Sequence, residues 1–238
     1  EAMTAHRDAK GRPIVAVTGL GVVTSLGQGK ETNWRALTAG KSGIHRIDRF
    51  PTEGLRTTIG GTVDFLFDEP FTAPQLSEKL ATLAAEEAVA QSGLGAPGDF
   101  PGELFMAVPP VEMEWPQKQE MAQAIEGEVD YDGLLRAAAT GKYRAMHELF
   151  VFGGVADHIA DRFGTRGSPI SLSTACSSGA TAIQMGVEAI RRGETQAALC
   201  IGTDGSIHAE ALIRFSLLSA LSTQNDPPEG AAKPFSHN

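Results

Sequence analysis

Cysteine is scarce in this sequence, with only Cys176 and Cys200 in 238 residues. Two cysteines cannot make a disulfide framework, and no histidine stands at metal-ligand spacing from either, so a reducing cytoplasm is the expected compartment. Long apolar runs are also missing. None approaches the ~20 residues of a membrane span, and the polar stretch from Glu1 to Arg12 lacks the apolar centre of a signal peptide. Cations are outnumbered, 20 Lys and Arg against 29 Asp and Glu. The resulting net charge of -9 argues against nucleic acid as a partner. Apolar residues, at 42%, suffice for a substantial core in one large domain or two small ones.

Arg12 to Val17 reads as a strand running into a glycine-punctuated segment. Gly19, Gly21 and Gly27 are not spaced as Gly-x-Gly-x-x-Gly, and no acidic residue follows a second strand, so the glycines are read as sites of close backbone packing and not as a nucleotide loop. Glu31 to Leu37 is a short helix ending at Gly40, and Lys41 to Phe71 is turn-rich with short strands. Leu76 to Gln91 is an alanine-rich amphipathic helix closed by Ser92-Gly93. Leu104 to Val108 is a core strand that Pro109-Pro110 ends. A charged, helical stretch reaches Tyr143, and Phe150 to Phe163 forms a helix stopped by Gly164. Ser206 to Leu221 has helical spacing, and Thr223 to Ala232 is a loop.

The rest is organised around Ser168 to Gly205. Ile170, Leu172 and Thr174 alternate with serines, which makes a short strand with Pro169 at its entry. From Cys176 the spacing of Ala180, Ile183, Val187 and Ile190 is helical, and Arg191, Arg192 and Gly193 mark the end. Cys176 therefore stands where a strand hands over to a helix N-terminus. Unpaired N–H groups and the positive end of the dipole favour an anion there, so the thiolate is stabilised and those N–H groups can hold an oxyanion. A buried, inert cysteine remains the other reading at this point. Gly179 and Gly186 each cost about 1 kcal/mol against Ala within a helix, which implies close packing on nearly all sides as compensation. Cys200 lies inside an apolar strand and is expected to be structural.

Thr174-Ala-Cys-Ser-Ser-Gly179, the small-residue helix after it and Gly202-Thr-Asp204 resemble the β-ketoacyl-acyl-carrier-protein synthases of the thiolase-like superfamily. Val15 to Gly27, Trp34 to Ile44 and Ser219 to Asp226 agree in order and spacing, so the resemblance covers most of the chain. It implies an α/β, thiolase-like fold, five layers α-β-α-β-α in the full enzyme. Residues 12–238 would supply its first half after a tail at 1–11. The helix after Cys176 would be a buried middle layer with no solvent face before its arginines. The strand before it would pair with its twin across a two-fold axis to make a homodimer.

The same resemblance implies decarboxylative Claisen condensation in fatty acid biosynthesis. Cys176 would take an acyl group from acyl carrier protein and supply one oxyanion donor from its own N–H. Malonyl carrier protein would then extend the chain, without metal or diffusible cofactor. The family's two catalytic histidines belong to its second half, and none of His6, His45, His147, His158, His208 and His237 matches them. The residues here are thus expected to carry half an active site; a non-catalytic or truncated half-domain acting as a dimerisation partner is the alternative. His158 reads as a helix-face residue and His208 as one near the site entrance. Residues 109–143 depart from the family's Gly-Ser-Gly-like loop near the dimer interface and the acyl-pocket floor. Val108, Val111, Met113 and Phe215 are the acyl-pocket candidates. The helix at Leu76 to Gln91 offers only Lys79 against Glu78, Glu86 and Glu87, so docking of acidic carrier protein is expected at Arg214, Lys118, Arg136, Lys142 and Arg144, or the partner is a specialised carrier.

Overall fold

The computed structural model describes residues 6–125 and 127–236; Glu1-Ala2 and His237 lie outside them. Two short antiparallel pairs come first: β1 (Val23–Thr24) with β2 (Gly27–Gln28), and β3 (His45–Arg46) with β4 (Ile59–Gly60). Helix α1 (Lys30–Thr38) lies between the pairs, and the long α2 (Ala73–Ser92) follows them. After strand β5 (Glu103–Ala107) come α3 (Trp115–Gln123), α4 (Tyr131–Ala139), α5 (Arg144–Leu149) and α6 (Gly154–Phe163). The chain continues through β6 (Arg166–Leu172), α7 (Ser178–Arg191), β7 (Ala198–Gly202) and α8 (Ala209–Leu217).

Strands β6, β5 and β7 form a parallel sheet in that order. Alternation along β5 sorts its side chains: Leu104, Met106 and Val108 pack among Ala81, Ala85 and Ile159 of α2 and α6, whereas Phe105 and Ala107 pack with Ala182 and Ala189 of α7. A parallel strand covered on both faces carries an unbroken apolar run, as this one does. Full burial of Leu104 and Met106 contributes about 1.5–3 kcal/mol each. The layering is α–β–α: α2 and α6, then the sheet, then α7.

Several boundaries differ from the sequence-based expectations. Arg12 to Val17 is not a strand; among the described residues its one ladder contact is a single bridge between Arg7 and Pro13. Its continuation lies along α2, whose side chains take its donors: Leu20 N–H donates to Gln91 Oε1 at 2.9 Å and Val22 N–H to Glu87 Oε2 at 3.1 Å. A Cβ at Gly19 or Gly21 would collide with the carbonyls of Ala88 or Ala84, so these glycines do serve close backbone approach. Helix α2 starts three residues early because Thr72 and Gln75 form a capping box. Helix α6 starts at Gly154 and not Phe150, since Phe150 closes α5. Helix α8 starts after His208, which caps it, and is correspondingly shorter than expected.

Pro169 lies inside β6 rather than at its entry. The strand is at the sheet edge, and between the pairs Glu103–Arg166 and Phe105–Ile170 the register shifts; Gly167 at φ +65° makes the bulge that absorbs it. Helix α7 also departs from its expected full burial. Ala182, Gly186 and Ala189 face the sheet, while Ala180, Ile183 and Gln184 are exposed, because one helix face has no neighbour among the described residues.

Glu87 accounts for much of how the N-terminal segment is held. Its oxygens accept from Val22 N–H, Lys30 N–H at 3.0 Å and, as an ion pair at 3.7 Å, face Lys30 Nζ. Glu87→Gln turns one acceptor into a donor facing those N–H groups, and is expected to cost about 1–2 kcal/mol. The check is amide hydrogen exchange: protection at Val22 and Lys30 should fall while β5 stays protected.

Candidate active site

The turn after β6 is built by hydroxyl groups. Ser178 Oγ accepts from Thr174 N–H at 2.8 Å and donates to the Ala175 carbonyl at 2.6 Å. Ser177 Oγ donates to the Thr174 carbonyl at 2.8 Å, and the Thr174 and Thr181 hydroxyls lie 2.8 Å apart. This net holds Ala175 in the left-handed region, φ +54°, a conformation that costs energy for a residue with a side chain. Cys176 follows it and is exposed. No described residue accepts from the Cys176 N–H. The helix begins two residues later than the sequence suggests, at Ser178, because Ser177 turns back to bond Thr174 and makes no side-chain cap to the helix. Cys176 still stands within one turn of the helix N-terminus, where the dipole acts.

Three strand ends converge around this turn. Val108 N–H donates to the Leu172 carbonyl at 3.3 Å and Thr203 N–H to the Ala107 carbonyl at 3.1 Å, so β5, β6 and β7 finish in step. The segments carrying Glu112, Cys176 and His208 therefore all leave the same carboxyl edge, where ligands bind in parallel α/β sheets. Beside α7, over β5 and β6, lies an open cleft of about 560 Å³ lined by Phe105, Ile170, Thr181, Gln184 and Met185 among others.

Of the acyl-pocket candidates, Val108 and Val111 border one small crevice, whereas Met113 and Phe215 lie elsewhere. Val108 is 4% exposed and belongs to the core between sheet and α2. Val111 lines a crevice of about 10 Å³, room for no more than one water. Met113 packs with Met121, Ala137 and Tyr143, and Phe215 is half-exposed on α8. Among the proposed docking cations, Arg136 and Arg144 are exposed, and Lys142 lies 5.2 Å from the centre of the Tyr143 ring. Arg214 pairs with Glu112, and Lys118 Nζ lies 3.9 Å from Glu210 Oε1, so these two are already engaged. His158 pairs with Glu78 on the helix face, and that hydrogen bond raises its pKa.

Sequence reading missed a charged cluster that joins three elements. Glu114 is buried, and its Oε1 accepts from Ala73 N–H at 2.6 Å at the start of α2. Burial pushes its carboxyl above the usual range. His208 Nδ1 lies 3.1 Å from Glu210 Oε2, and its Nε2 lies 3.9 Å from Glu112 Oε1. Burial opposes ionisation of Glu210, yet its own N–H and His208 hold its carboxyl below the usual range. Histidine is not a common helix cap, so the sequence carried little sign of this arrangement. Cys200 fulfils its structural expectation: packed against the α7 face of the sheet, it has a thiol that burial pushes up to about 11. Among the described residues no group of His, Cys, Asp and Glu is arranged to hold a metal, and no helix is long and apolar enough to cross a membrane.

Residues 12–238 match the family described as beta-ketoacyl synthase, N-terminal domain. The chain is 28% identical over 247 residues to the tetracenomycin polyketide synthase ketoacyl synthase alpha subunit of Streptomyces glaucescens, covering 99% of this chain and 55% of that protein. It is 26% identical over 235 residues to 3-oxoacyl-[acyl-carrier-protein] synthase 2 of Vibrio cholerae, covering 93% and 53%. A solved ketosynthase, in complex with its type II polyketide acyl carrier protein and bound to the hexaketide, superimposes with TM-score 0.72 at 24% identity, over 93% of this chain and 53% of that one. That likeness carries the fold, thiolase-like and mixed α/β around a parallel sheet. The chain spans about half the length of the relatives it matches.

Proposed function

For a chain that belongs to the β-ketoacyl synthase family through that family's N-terminal domain, we propose that Cys176 is the acyl-accepting nucleophile of a condensing reaction. The observation that carries this is the exposed Cys176 on a strained, hydroxyl-braced turn at a helix N-terminus, with its own N–H uncommitted among the described residues. The thiolate attacks the carbonyl carbon of an acyl thioester. The oxyanion of the tetrahedral intermediate accepts from the Cys176 N–H, the carrier thiolate leaves, and the acyl group remains on Sγ. In the second half-reaction a malonyl thioester loses carbon dioxide and its carbanion displaces Cys176. The product is a 3-oxoacyl thioester two carbons longer. The decarboxylating groups are proposed to come from the part of the relatives that these residues do not match.

The proposed partners are acyl carrier protein and a second copy of the chain. Support for the second is the position of β6 at the sheet edge, open to pairing with its twin. Identity to the polyketide synthase subunit and to the 3-oxoacyl synthase differs by two points, 28% against 26%, and the relatives do not choose between a polyketide and a fatty-acyl substrate. We read the substrate as a fatty-acyl chain. The test is incubation with carrier protein loaded with saturated acyl chains or with 3-oxoacyl chains, read by intact mass and peptide mapping. An acyl adduct on Cys176 supports the reading, with saturated chains loading faster. Faster loading by 3-oxoacyl chains would move the substrate to polyketides. No adduct from either would end the condensing assignment.

A further inference from the structure

Helices α3, α4 and α5 form a unit with its own small core. Met121, Ala137 and Tyr143 pack together with Met113, Ile125 and Met146, and no residue from outside this unit joins them. The chain enters through Pro109-Pro110, a stiff arm, and leaves through Gly153-Gly154; a Cβ at Gly153 would meet nothing within 4 Å. Among the described residues from 111 to 149, the hydrogen bonds and ion pairs to the rest of the protein are all polar contacts at one place. Glu112 pairs with Arg214 of α8, Lys118 lies 3.9 Å from Glu210 of α8, His208 faces Glu112 at 3.9 Å, and Glu114 accepts from Ala73 N–H at 2.6 Å. Directly beneath, between the two connections and α2, is the apolar crevice of about 10 Å³ lined by Pro74, Val108, Val111, Phe152 and Val155.

We propose that α3, α4 and α5 form a hinged lid, latched to α8 by Glu112–Arg214 and Lys118–Glu210, that opens the apolar crevice at the carboxyl edge of the sheet. A unit whose core is internal can swing without exposing that core, so opening breaks the two latch pairs and the Glu114–Ala73 hydrogen bond. The latch contacts are partly exposed pairs, and such pairs shift an equilibrium only a few-fold each. The use of the opened crevice, to take an acyl chain delivered from Cys176, rests on the condensing reading above; the motion does not.

The test is thiol labelling of Val155→Cys, a position 6% exposed in the crevice wall, without any substrate present. Native Cys200, packed against α7, reports global unfolding in the same sample, and peptide mass separates both from Cys176. Adding Arg214→Gln and Lys118→Gln is expected to speed labelling at position 155 about tenfold, two few-fold losses combined, with Cys200 unchanged. Raising salt to about 1 M should speed it in the latched protein and not in the double variant. Labelling at 155 that ignores both the substitutions and salt, or that rises in step with Cys200, would overturn the lid. If the Val155→Cys protein does not fold, exchange of the Ala73 amide carries the same comparison. Since no acyl thioester is used, failure here leaves the assignment of Cys176 standing, and failure of acyl loading leaves the lid standing.

Discussion

Cys176→Ala is expected to abolish acyl loading, by at least about a thousandfold, while leaving stability within about 0.5 kcal/mol of the parent. The two halves of that expectation have separate causes. No described side chain can replace the lost nucleophile: the second cysteine packs against the α7 face of the sheet, and burial holds its thiol at about 11. At pH 8 that leaves about one Cys200 in a thousand as thiolate. Stability is spared because Cys176 is exposed and the turn is braced by Ser177, Ser178, Thr174 and Thr181, none of which bonds to the thiol. Iodoacetamide at pH 8 should modify Cys176 at least about a hundredfold faster than Cys200. Preferential labelling of Cys200, or acyl loading retained by Cys176→Ala, would remove the nucleophile from this site.

Where the sequence was legible, the signal was local and repeated. A short apolar run and the Pro109-Pro110 stop placed β5 within a residue, and Gly93 and Gly164, both left-handed, ended α2 and α6 where glycine implied. The hydroxyl-rich turn around Cys176 was legible as strand-to-helix chemistry, though not the bonding of Ser177 back to Thr174 that goes with a helix start at Ser178. What escaped was set by distant partners. Arg12 to Val17 has strand composition, but α2 supplies Gln91 and Glu87 as acceptors farther along the same segment, and no strand lies alongside among the described residues. Pro169 within β6 is tolerated only because that strand is at an edge and bulged, and edge position is a tertiary fact. The Glu112, Glu114, His208 and Glu210 cluster joins residues about a hundred positions apart, beyond any spacing rule.

The helix glycines give the sharpest stability contrast. Both Gly179 and Gly186 lower helix propensity by about 1 kcal/mol against Ala, so propensity alone predicts that replacing either would stabilise α7. Packing divides them. At Gly179 an added Cβ would lie 4.0 Å from Gly202 Cα, an ordinary contact. At Gly186 it would collide with Cys200 Sγ and lie 3.0 Å from Ala198 Cβ, with the Phe105 ring 3.6 Å away. The Cys200 side chain is itself held between sheet and helix, so relief requires α7 to lift from β5 and β7. Overpacking of this kind costs about 1–3 kcal/mol, and Gly186→Val adds two further methyl groups to the same space. Gly186→Val is therefore expected to lose about 3 kcal/mol, whereas Gly179→Ala should be neutral or gain up to about 0.5 kcal/mol, the gain being reduced by its place in the first turn. Urea unfolding of the two variants measures this directly. Because α7 carries Cys176 at its start, Gly186→Val should also slow acyl loading without touching the nucleophile. Equal effects of the two substitutions would show that helix propensity, and not contact with β7, decides how α7 is held.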